Sequence, residues 1–351
     1  MRDFLNLIKD KKVIGFGFGF QAWDMCNNYK QILDRIVFFI DGDKSKVGIQ
    51  TICGKEIEVK PKEWLLKNKD LKEYIFLITT KFVNEIMEEF DYLDVDAYSY
   101  ILMEEFLEKE ASTDCNVFKN SGEAIPKVIH YCWFGTGKKS ELHEKCIASW
   151  KENCPDYEII EWNESNFDVN INNYVKEAYE AKKYAFVSDF FRLYVLYNYG
   201  GIYLDVDVEV LKPLDELLFV DGFTGFETTH CIPTGIIAAK KGNMWVKEQL
   251  DFYENNKFLD EKNNPILTTN VEIITNISKE KHGFMPNGKF QELKYGMCIY
   301  PKSFFCPKSV RTGNIYLTDK TYTIHHFNLS WMEEMTKERN KKLSEFLRAF
   351  I

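Results

Sequence analysis

The sequence of 351 residues has no apolar run that approaches the roughly 18–20 residues needed to cross a bilayer. Its first six residues are too polar for a secretory signal peptide. Basic charge is also not in excess, because 45 Lys and Arg stand against 54 Asp and Glu, a net charge of −9. Binding to nucleic-acid phosphates needs clustered basic charge. We therefore expect a cytoplasmic protein that does not bind nucleic acid.

Cysteine pairs at metal-binding spacing are absent as well. The nine cysteines are scattered, their number is odd, and no two of them form a Cys-x-x-Cys motif. A structural zinc site would need such spacing, and a disulfide framework is not expected in a chain of this length. Aromatic residues are plentiful, with 28 Phe and 19 Tyr, which excludes a disordered chain. The composition predicts a globular protein with reduced cysteines.

Length and pattern predict two α/β domains. At about 100–200 residues per domain, the chain is long enough for two. Apolar strands alternate with helical stretches in the first part, an order typical of a parallel sheet. These strands are predicted at 11–14, 36–40 and 74–80. The polar stretch 111–124 is the predicted linker. It separates a smaller domain over 1–110 from a larger one over 125–351.

The first domain has a glycine-rich turn after its first strand. Gly15, Gly17 and Gly19 depart from the strict dinucleotide fingerprint, because the third glycine is displaced. A ligand at the start of the next helix and a purely structural or partner-binding role both stay open. The weak fingerprint argues against a nicotinamide-dependent oxidoreductase. Asp41 and Asp43 end the second strand, where ribose binding or turn chemistry is the usual role.

The predicted elements of the second domain lead to an acidic pair. They are strands at 125–135, 157–162 and 202–204, a helix at 141–152, and a long helix over 172–199. Gly200 and Gly201 are the predicted end of the long helix. The strand after them leads directly into Asp205 and Asp207.

Three Asp-x-Asp motifs occur in the chain, at 41/43, 94/96 and 205/207. Residues i and i+2 of an extended chain face the same side, so such a pair can offer two carboxylates to one hard cation. The pair at 94/96 follows no strand and is predicted to be solvated surface. The pair at 205/207 ends an apolar strand after a double glycine, and it is the candidate metal site.

Two charges interrupt the long apolar helix. Asp189 and Arg192 are three residues apart and lie on one face. Their neighbours are apolar almost all round, so this helix is predicted to be buried. Burying two charges is costly and calls for pairing or for a ligand. A structural ion pair and a substrate-binding pair are equally open at this point.

Four motifs in this order resemble glycosyltransferase family 32. They are the run 125–135, the spacing Ser188-Asp189-x-x-Arg192, the run 200–207 that ends in Asp-x-Asp, and the run 325–331 with its His-His-Phe and Ser-Trp. The family includes bacterial capsular polysaccharide glycosyltransferases and yeast initiating mannosyltransferases. The motif order is also similar to that of the glucosyltransferase domains of large clostridial toxins. Asn328-Leu329 departs from the bacterial relatives, which usually carry Ala-Gly there.

The resemblance implies a GT-A-type, Rossmann-like α/β fold for the second domain. The smaller first domain separately resembles the Rossmann-like nucleotide-binding modules that are found fused to sugar-processing enzymes. It implies the retaining transfer of a hexose from a nucleotide diphosphate sugar, with a UDP-sugar favoured. A saccharide or lipid-linked saccharide is the expected acceptor, in bacterial capsule or cell-surface polysaccharide synthesis. A divalent metal is expected, with Mn²⁺ favoured and Mg²⁺ as the alternative. The rival hypothesis is an inactive nucleotide-sugar-binding regulatory or scaffold protein.

The resemblance also implies roles for particular residues. Asp207 is the first choice for a direct metal ligand, and Asp205 would hold the ribose or reach the metal through water. One of His325 and His326 would add an imidazole, with His326 favoured. The predicted catalytic residues are Asp189, Arg192, Asp205 and Asp207. The predicted donor site comprises Trp133, which would stack on the base, with Cys132, Asp189, Arg192, Asp205, Thr234, Gly235, Ser330 and Trp331.

The C-terminal stretch 332–351 is predicted to be a helix that combines basic and apolar residues. Such a helix can rest on a membrane surface near a lipid-linked acceptor. Packing on its own domain is the favoured alternative. The first alternative predicts peripheral contact with the inner face of the cell membrane.

Overall fold

The structure is a computed structural model that describes residues 6–68, 71–80, 86, 96–101, 103–104, 115–117, 123–310 and 312–328. These residues form two compact units, the first mainly within residues 1–110 and the second mainly within 111–310 and 314–328. Both units combine helices with sheets that contain parallel strands, so the predicted α/β class is confirmed. No helix in the described part of the chain is long and apolar enough to span a bilayer.

The first unit is built on a six-stranded sheet. Its strands are β1 (Lys12–Phe16), β2 (Ile36–Asp41), β3 (Gly48–Ile52), β4 (Lys55–Pro61), β5 (Tyr74–Ile78) and β6 (Asp96–Ser99). Its helices include α1 (Phe20–Asn28), α2 (Lys30–Leu33), α3 (Trp64–Lys67) and a 3₁₀ helix (Lys44–Lys46). The strand order is β3-β4-β2-β1-β5-β6, and only the β3–β4 pair is antiparallel. The central strands are buried, as the continuous apolar runs of a parallel sheet require.

The glycine turn of this unit joins β1 to α1. Gly17 has a φ of 98°, in the left-handed region that favours glycine. Asp41 accepts a hydrogen bond of 2.7 Å from the Phe18 N–H and another of 2.8 Å from the Asp43 N–H. The Asp41 carboxylate therefore holds the turn itself. The sequence left ribose binding and turn chemistry open for Asp41, and these hydrogen bonds favour turn chemistry.

The second unit contains a seven-stranded sheet and a separate two-stranded one. Its strands are β7 (Val128–Cys132), β8 (Glu158–Trp162), β9 (Gly201–Leu204), β10 (Val208–Val210), β11 (Gly222–Gly225), β12 (Ile236–Ala239), β13 (Gln291–Leu293), β14 (Met297–Tyr300) and β15 (Thr323–His325). The large sheet has the order β13-β14-β11-β12-β9-β7-β8, and β10 pairs with β15. Strand β9 is parallel to β7 and antiparallel to β12.

Helices cover this sheet and connect its strands. They are α4 (Glu141–Asn153), α5 (Asn173–Glu180), α6 (Tyr184–Tyr199), α7 (Met244–Asn255), α8 (Asn270–His282), α9 (Lys302–Phe305) and 3₁₀ helices at Asp215–Leu217 and Lys294–Gly296. Helix α6 is deeply packed, with Phe190, Phe191 and Leu196 almost wholly buried. It carries Asp189 and Arg192 into the interior, where they are 7% and 3% exposed.

The predicted helix over 172–199 is two helices. Helix α5 ends at Glu180 and α6 begins at Tyr184, and between them Lys182 has a φ of 57°. The sequence does not mark this break, since residues 181–183 are Ala-Lys-Lys, all good helix formers. Helix α6 ends as predicted at Gly200, which has a φ of 73° and donates its N–H to the Leu196 carbonyl at 2.9 Å.

Candidate active site

Asp205 and Asp207 lie where the chain leaves the seven-stranded sheet for the two-stranded one. The Asp205 N–H donates a hydrogen bond of 2.8 Å to the Gly235 carbonyl, just before β12. The Asp207 carbonyl accepts a hydrogen bond of 2.9 Å from the His326 N–H, just after β15. The backbone of the acidic pair is thus fixed by two strands that are distant in sequence. Both aspartates are partly buried.

Asp205, Asp207 and His325 each offer one ligand atom, and these atoms lie within 4.8 Å of one another. His325 Nε2 is 3.3 Å from Asp207 Oδ1. Burial alone would raise the pKa of Asp207, but the charge and hydrogen bond of His325 outweigh it and hold that pKa well below its ordinary value. Two carboxylates and an imidazole are a donor set for a divalent cation. The chemistry of this group therefore fits the expected metal.

His325, rather than the favoured His326, faces the acidic pair. Adjacent residues of a strand point to opposite faces, and the register places His325 opposite Val208 of β10. His326 points the other way, with Nε2 2.8 Å from Glu209 Oε2. Glu209 also binds Lys145 at 2.8 Å, so His326 belongs to a separate charge cluster. The structure corrects the preference for His326.

Arg192 joins three parts of the site. Its Nη2 lies 3.0 Å from Asp189 Oδ1 and 3.4 Å from Asp205 Oδ1. Its Nη1 donates a hydrogen bond of 2.7 Å to the Thr234 carbonyl. Burial raises the pKa of the Asp189 carboxyl to about 7, although the charge of Arg192 opposes this rise. The two charges of α6 are therefore paired with each other and connected to the acidic pair.

Tyr203 is a member of the site that the sequence reasoning missed. Its hydroxyl donates a hydrogen bond of 2.8 Å to Asp205 Oδ1. Its ring centre lies 5.0 Å from Arg192 Cζ, within the range of a cation–π contact. A signal for it existed, because Tyr203 precedes Asp205 by two residues on a strand and so shares its face.

Asn270, the first residue of α8, was also missed. Its Nδ2 donates hydrogen bonds to Asp189 Oδ1 and, at 2.9 Å, to Thr234 Oγ1. It lies 81 residues from Asp189 in the sequence, in a stretch without a recognisable motif. Only the packing of α8 brings this amide to the buried pair.

Trp133 and Cys132 lie at the end of β7, next to β9. Cys132 is buried, with its Sγ 3.6 Å from the Tyr203 hydroxyl, and burial raises the pKa of its thiol to about 12. Trp133 is half-buried, and its Nε1 donates a hydrogen bond of 2.7 Å to the Gly137 carbonyl. Because β7 and β9 are parallel neighbours, their carboxyl ends meet at one edge of the sheet. Trp133 therefore lies on the same edge as the acidic pair.

Asn328 connects this edge to helix α4. Its N–H donates a hydrogen bond of 2.8 Å to Asp207 Oδ2, and its Nδ2 lies 3.1 Å from His143 Nε2. Burial lowers the pKa of His143, whose Nδ1 accepts a hydrogen bond of 3.1 Å from the Ser140 N–H. The His143 ring meets the Trp133 ring edge-on at 5.1 Å. The residue at which the sequence departs from the bacterial pattern thus contacts a predicted metal ligand.

Thr234 and Gly235 are brought to the site by the segment before β12, through the contacts with Arg192, Asn270 and Asp205 described above. Two predicted donor-site residues, Ser330 and Trp331, lie outside the described residues. The predicted helix over 332–351 lies outside them too.

Residues 140–223 match the family model described as "Glycosyltransferase sugar-binding region containing DXD motif". The matched region runs from the start of α4 into β11. It includes the four predicted catalytic residues, Asp189, Arg192, Asp205 and Asp207.

Curated relatives match over part of their length. Inositol phosphoceramide mannosyltransferase 3 of Schizosaccharomyces pombe is 31% identical over 139 residues, which are 36% of this chain and 36% of the relative. Mannosyl phosphorylinositol ceramide synthase CSH1 of Saccharomyces cerevisiae is 27% identical over 179 residues, 48% of this chain and 45% of the relative. The chain thus spans less than half the length of each.

A solved structure titled "PaToxG Glycosyltransferase" aligns over 52% of this chain and 77% of its own, with 22% identity and a TM-score of 0.36. A TM-score this low supports no conclusion about fold or function. The family match confirms the predicted enzyme class, because the second unit contains a glycosyltransferase region of the DxD type.

Proposed function

We propose that the second unit is a divalent-metal-dependent, retaining glycosyltransferase of the family 32 type. It moves a hexose from a nucleoside diphosphate sugar to the hydroxyl of a saccharide acceptor. The observation that carries this proposal is the group formed by Asp205, Asp207 and His325. Mn²⁺ is the favoured metal and Mg²⁺ the alternative.

The metal would be held by the two carboxylates and the imidazole of this group. When bound, a divalent cation neutralises the charge that develops on the leaving diphosphate. The hydrogen bond from Tyr203 and the ion pair with Arg192 fix the orientation of the Asp205 carboxylate.

The donor sugar would be bound by Asp189. Its contacts with Arg192 and Asn270 both use Oδ1. Oδ2 is the oxygen that we propose accepts a hydrogen bond from a sugar hydroxyl. The base would stack on Trp133, at the same sheet edge, and the segment with Ser330 and Trp331 would close over the diphosphate.

Retention at the anomeric carbon requires either a covalent intermediate or attack on the face that the diphosphate leaves. The raised pKa of Cys132 keeps its thiol protonated and unreactive at neutral pH. We therefore favour a same-face displacement. In it the acceptor hydroxyl bonds to the anomeric carbon, the bond to the diphosphate breaks, and the diphosphate oxygen takes the hydroxyl proton.

The donor and acceptor are narrower proposals. We favour a UDP-sugar and a role in capsule or cell-surface polysaccharide synthesis, at the cytoplasmic face of the membrane with contact through 332–351. The relatives are named for mannose transfer to inositol phosphoceramide, which adds mannose donors and lipid-linked acceptors as candidates. The first unit would bind a nucleotide or a partner, or serve as a structural domain.

The test is a panel of nucleotide sugars, including mannose donors, assayed with Mn²⁺ for slow hydrolysis without acceptor. Hydrolysis of one donor that stops with chelator supports the proposal. Asp207→Asn should abolish it, whereas Asp96→Asn, an exposed aspartate of another Asp-x-Asp motif, should not. Tight donor binding without hydrolysis or transfer would instead support the rival function, an inactive nucleotide-sugar-binding regulatory or scaffold protein.

A further inference from the structure

Gly235 contacts both segments that carry the candidate metal group, the one with Asp205 and the one with His325. Its carbonyl accepts the hydrogen bond from the Asp205 N–H. A Cβ built on Gly235 would lie 2.9 Å from both Cε1 and Nδ1 of His325, and 3.3 Å from its Cγ. Carbon atoms that are not bonded to each other pack at about 3.5–4.0 Å. The imidazole therefore occupies the space that any side chain at position 235 would need.

The imidazole has little room to yield. The His325 side chain is only 12% exposed, and Nε2 is held 3.3 Å from Asp207 Oδ1. The Phe327 ring packs against it, with ring centres 4.1 Å apart. A methyl group at position 235 would therefore push the ring from Asp207 or strain the strand that carries it.

The backbone of Gly235 does not itself demand glycine. Gly200 and Gly201, at φ values of 73° and 111°, are in the left-handed region, but Gly235 is not among the positive-φ glycines. Alanine can adopt the backbone conformation of Gly235. The requirement at this position is space for the His325 ring.

We propose that Gly235 is a positioning residue, whose missing side chain lets the His325 imidazole reach Asp207 and complete the metal-binding group. This role differs from the predicted one, in which Gly235 belongs to the donor site. It rests on the proposed function, because it assumes that the group binds a divalent cation.

The experiment measures the affinity of the full-length protein for Mn²⁺, without donor, from the electron paramagnetic resonance signal of the free ion. Gly235→Ala should weaken binding by about 10–100-fold, the usual cost of losing a residue that orients a metal ligand. Gly42→Ala is the matched control, since its Cβ would meet nothing within 4 Å and its φ is not positive. It should bind as the wild type does.

A double-mutant cycle isolates the contact with the ring. In a His325→Ala background, where no imidazole remains to displace, Gly235→Ala should cause no further loss of affinity. His325→Asp, a shorter ligand, should restore part of the Mn²⁺ binding that Gly235→Ala loses. If Gly235→Ala alone fails to fold, the double variant with His325→Ala should fold, because the clash is gone.

The other possible outcomes each contradict either the proposed function or the positioning role of Gly235. If the wild type binds no Mn²⁺, the proposed function fails, and this proposal fails with it. If the wild type binds Mn²⁺ and Gly235→Ala binds equally well, only the positioning role is wrong. An equal loss in the His325→Ala background, or an unfolded double variant, would show that Gly235 acts through the backbone instead.

Discussion

Removing Arg192 alone should destabilise the protein more than removing Arg192 and Asp189 together. Arg192→Met leaves the buried Asp189 without its counter-charge, Asp205 without an ion pair, and the Thr234 carbonyl without its donor. The double variant with Asp189→Val also removes the buried carboxylate. The charge left behind is then Asp205, whose side chain is 24% exposed and therefore partly solvated.

The magnitude follows from the burial of the pair. Breaking a buried ion pair by removing one partner costs about 3–5 kcal/mol, whereas replacing both with apolar groups is often nearly neutral. The Thr234 carbonyl loses its donor in both variants, at about 1–3 kcal/mol. Arg192→Met should therefore lower the free energy of unfolding by about 2–4 kcal/mol more than the double replacement does.

Equilibrium urea unfolding followed by circular dichroism measures this difference, at a pH well above the pKa of about 7 of Asp189, so that its carboxylate is ionised in the wild type. The two variants share an unaltered first unit, so their difference reports the second. A double variant as unstable as Arg192→Met would refute the reasoning, because removing the charge of Asp189 would then have recovered none of the lost free energy of unfolding.

Activity separates a structural pair from a substrate-binding one. If Asp189 holds a sugar hydroxyl, the folded double variant should lose transfer at least tenfold, because a hydrogen bond to a charged group contributes about 1.5–3 kcal/mol. Asp189→Asn leaves the ion pair between Arg192 and Asp205 in place. This variant should therefore bind free nucleoside diphosphate normally and still lose transfer activity. Near-normal transfer in the folded double variant would return the pair to a purely structural role.

Three further outcomes are expected. Trp133→Ala should raise the donor KM more than it lowers kcat, because stacking on the base is mostly uniform binding; an unchanged KM in initial-rate assays would make Trp133 a packing residue. Asn328→Ala keeps the backbone hydrogen bond to Asp207 but removes the side-chain contact with His143, and it should raise the donor KM a few-fold, as expected for roughly 0.5–1.5 kcal/mol from one hydrogen bond. His143→Gln should add nothing to it, and additive effects would contradict the contact between these two side chains. A shortened chain starting near residue 121 should fold and hydrolyse donor. If the shortened protein folds but is inactive, the first unit contributes part of the site.

Local pattern was sufficient for the parts of this protein that lie close together in the sequence. Strands β1, β2, β5, β7, β8 and β9 form where apolar runs predicted them. Asp205 and Asp207 follow β9 directly, as the double glycine and the apolar strand indicated. The burial of Asp189 and Arg192 followed from a helix that is apolar almost all round. These features depend on residues within a few positions of one another, so periodicity and turn chemistry determine them.

Tertiary structure decided what depends on pairing between distant segments. The sequence predicts that His325 and His326 point in opposite directions, but only the register of β15 on β10 turns His325 toward Asp207. Asn270 reaches Asp189 only because α8 packs there, and the need for glycine at position 235 exists only once the imidazole is placed against it. Such contacts are chosen by the free energy of the whole fold, which leaves no local pattern at either partner for the sequence to reveal.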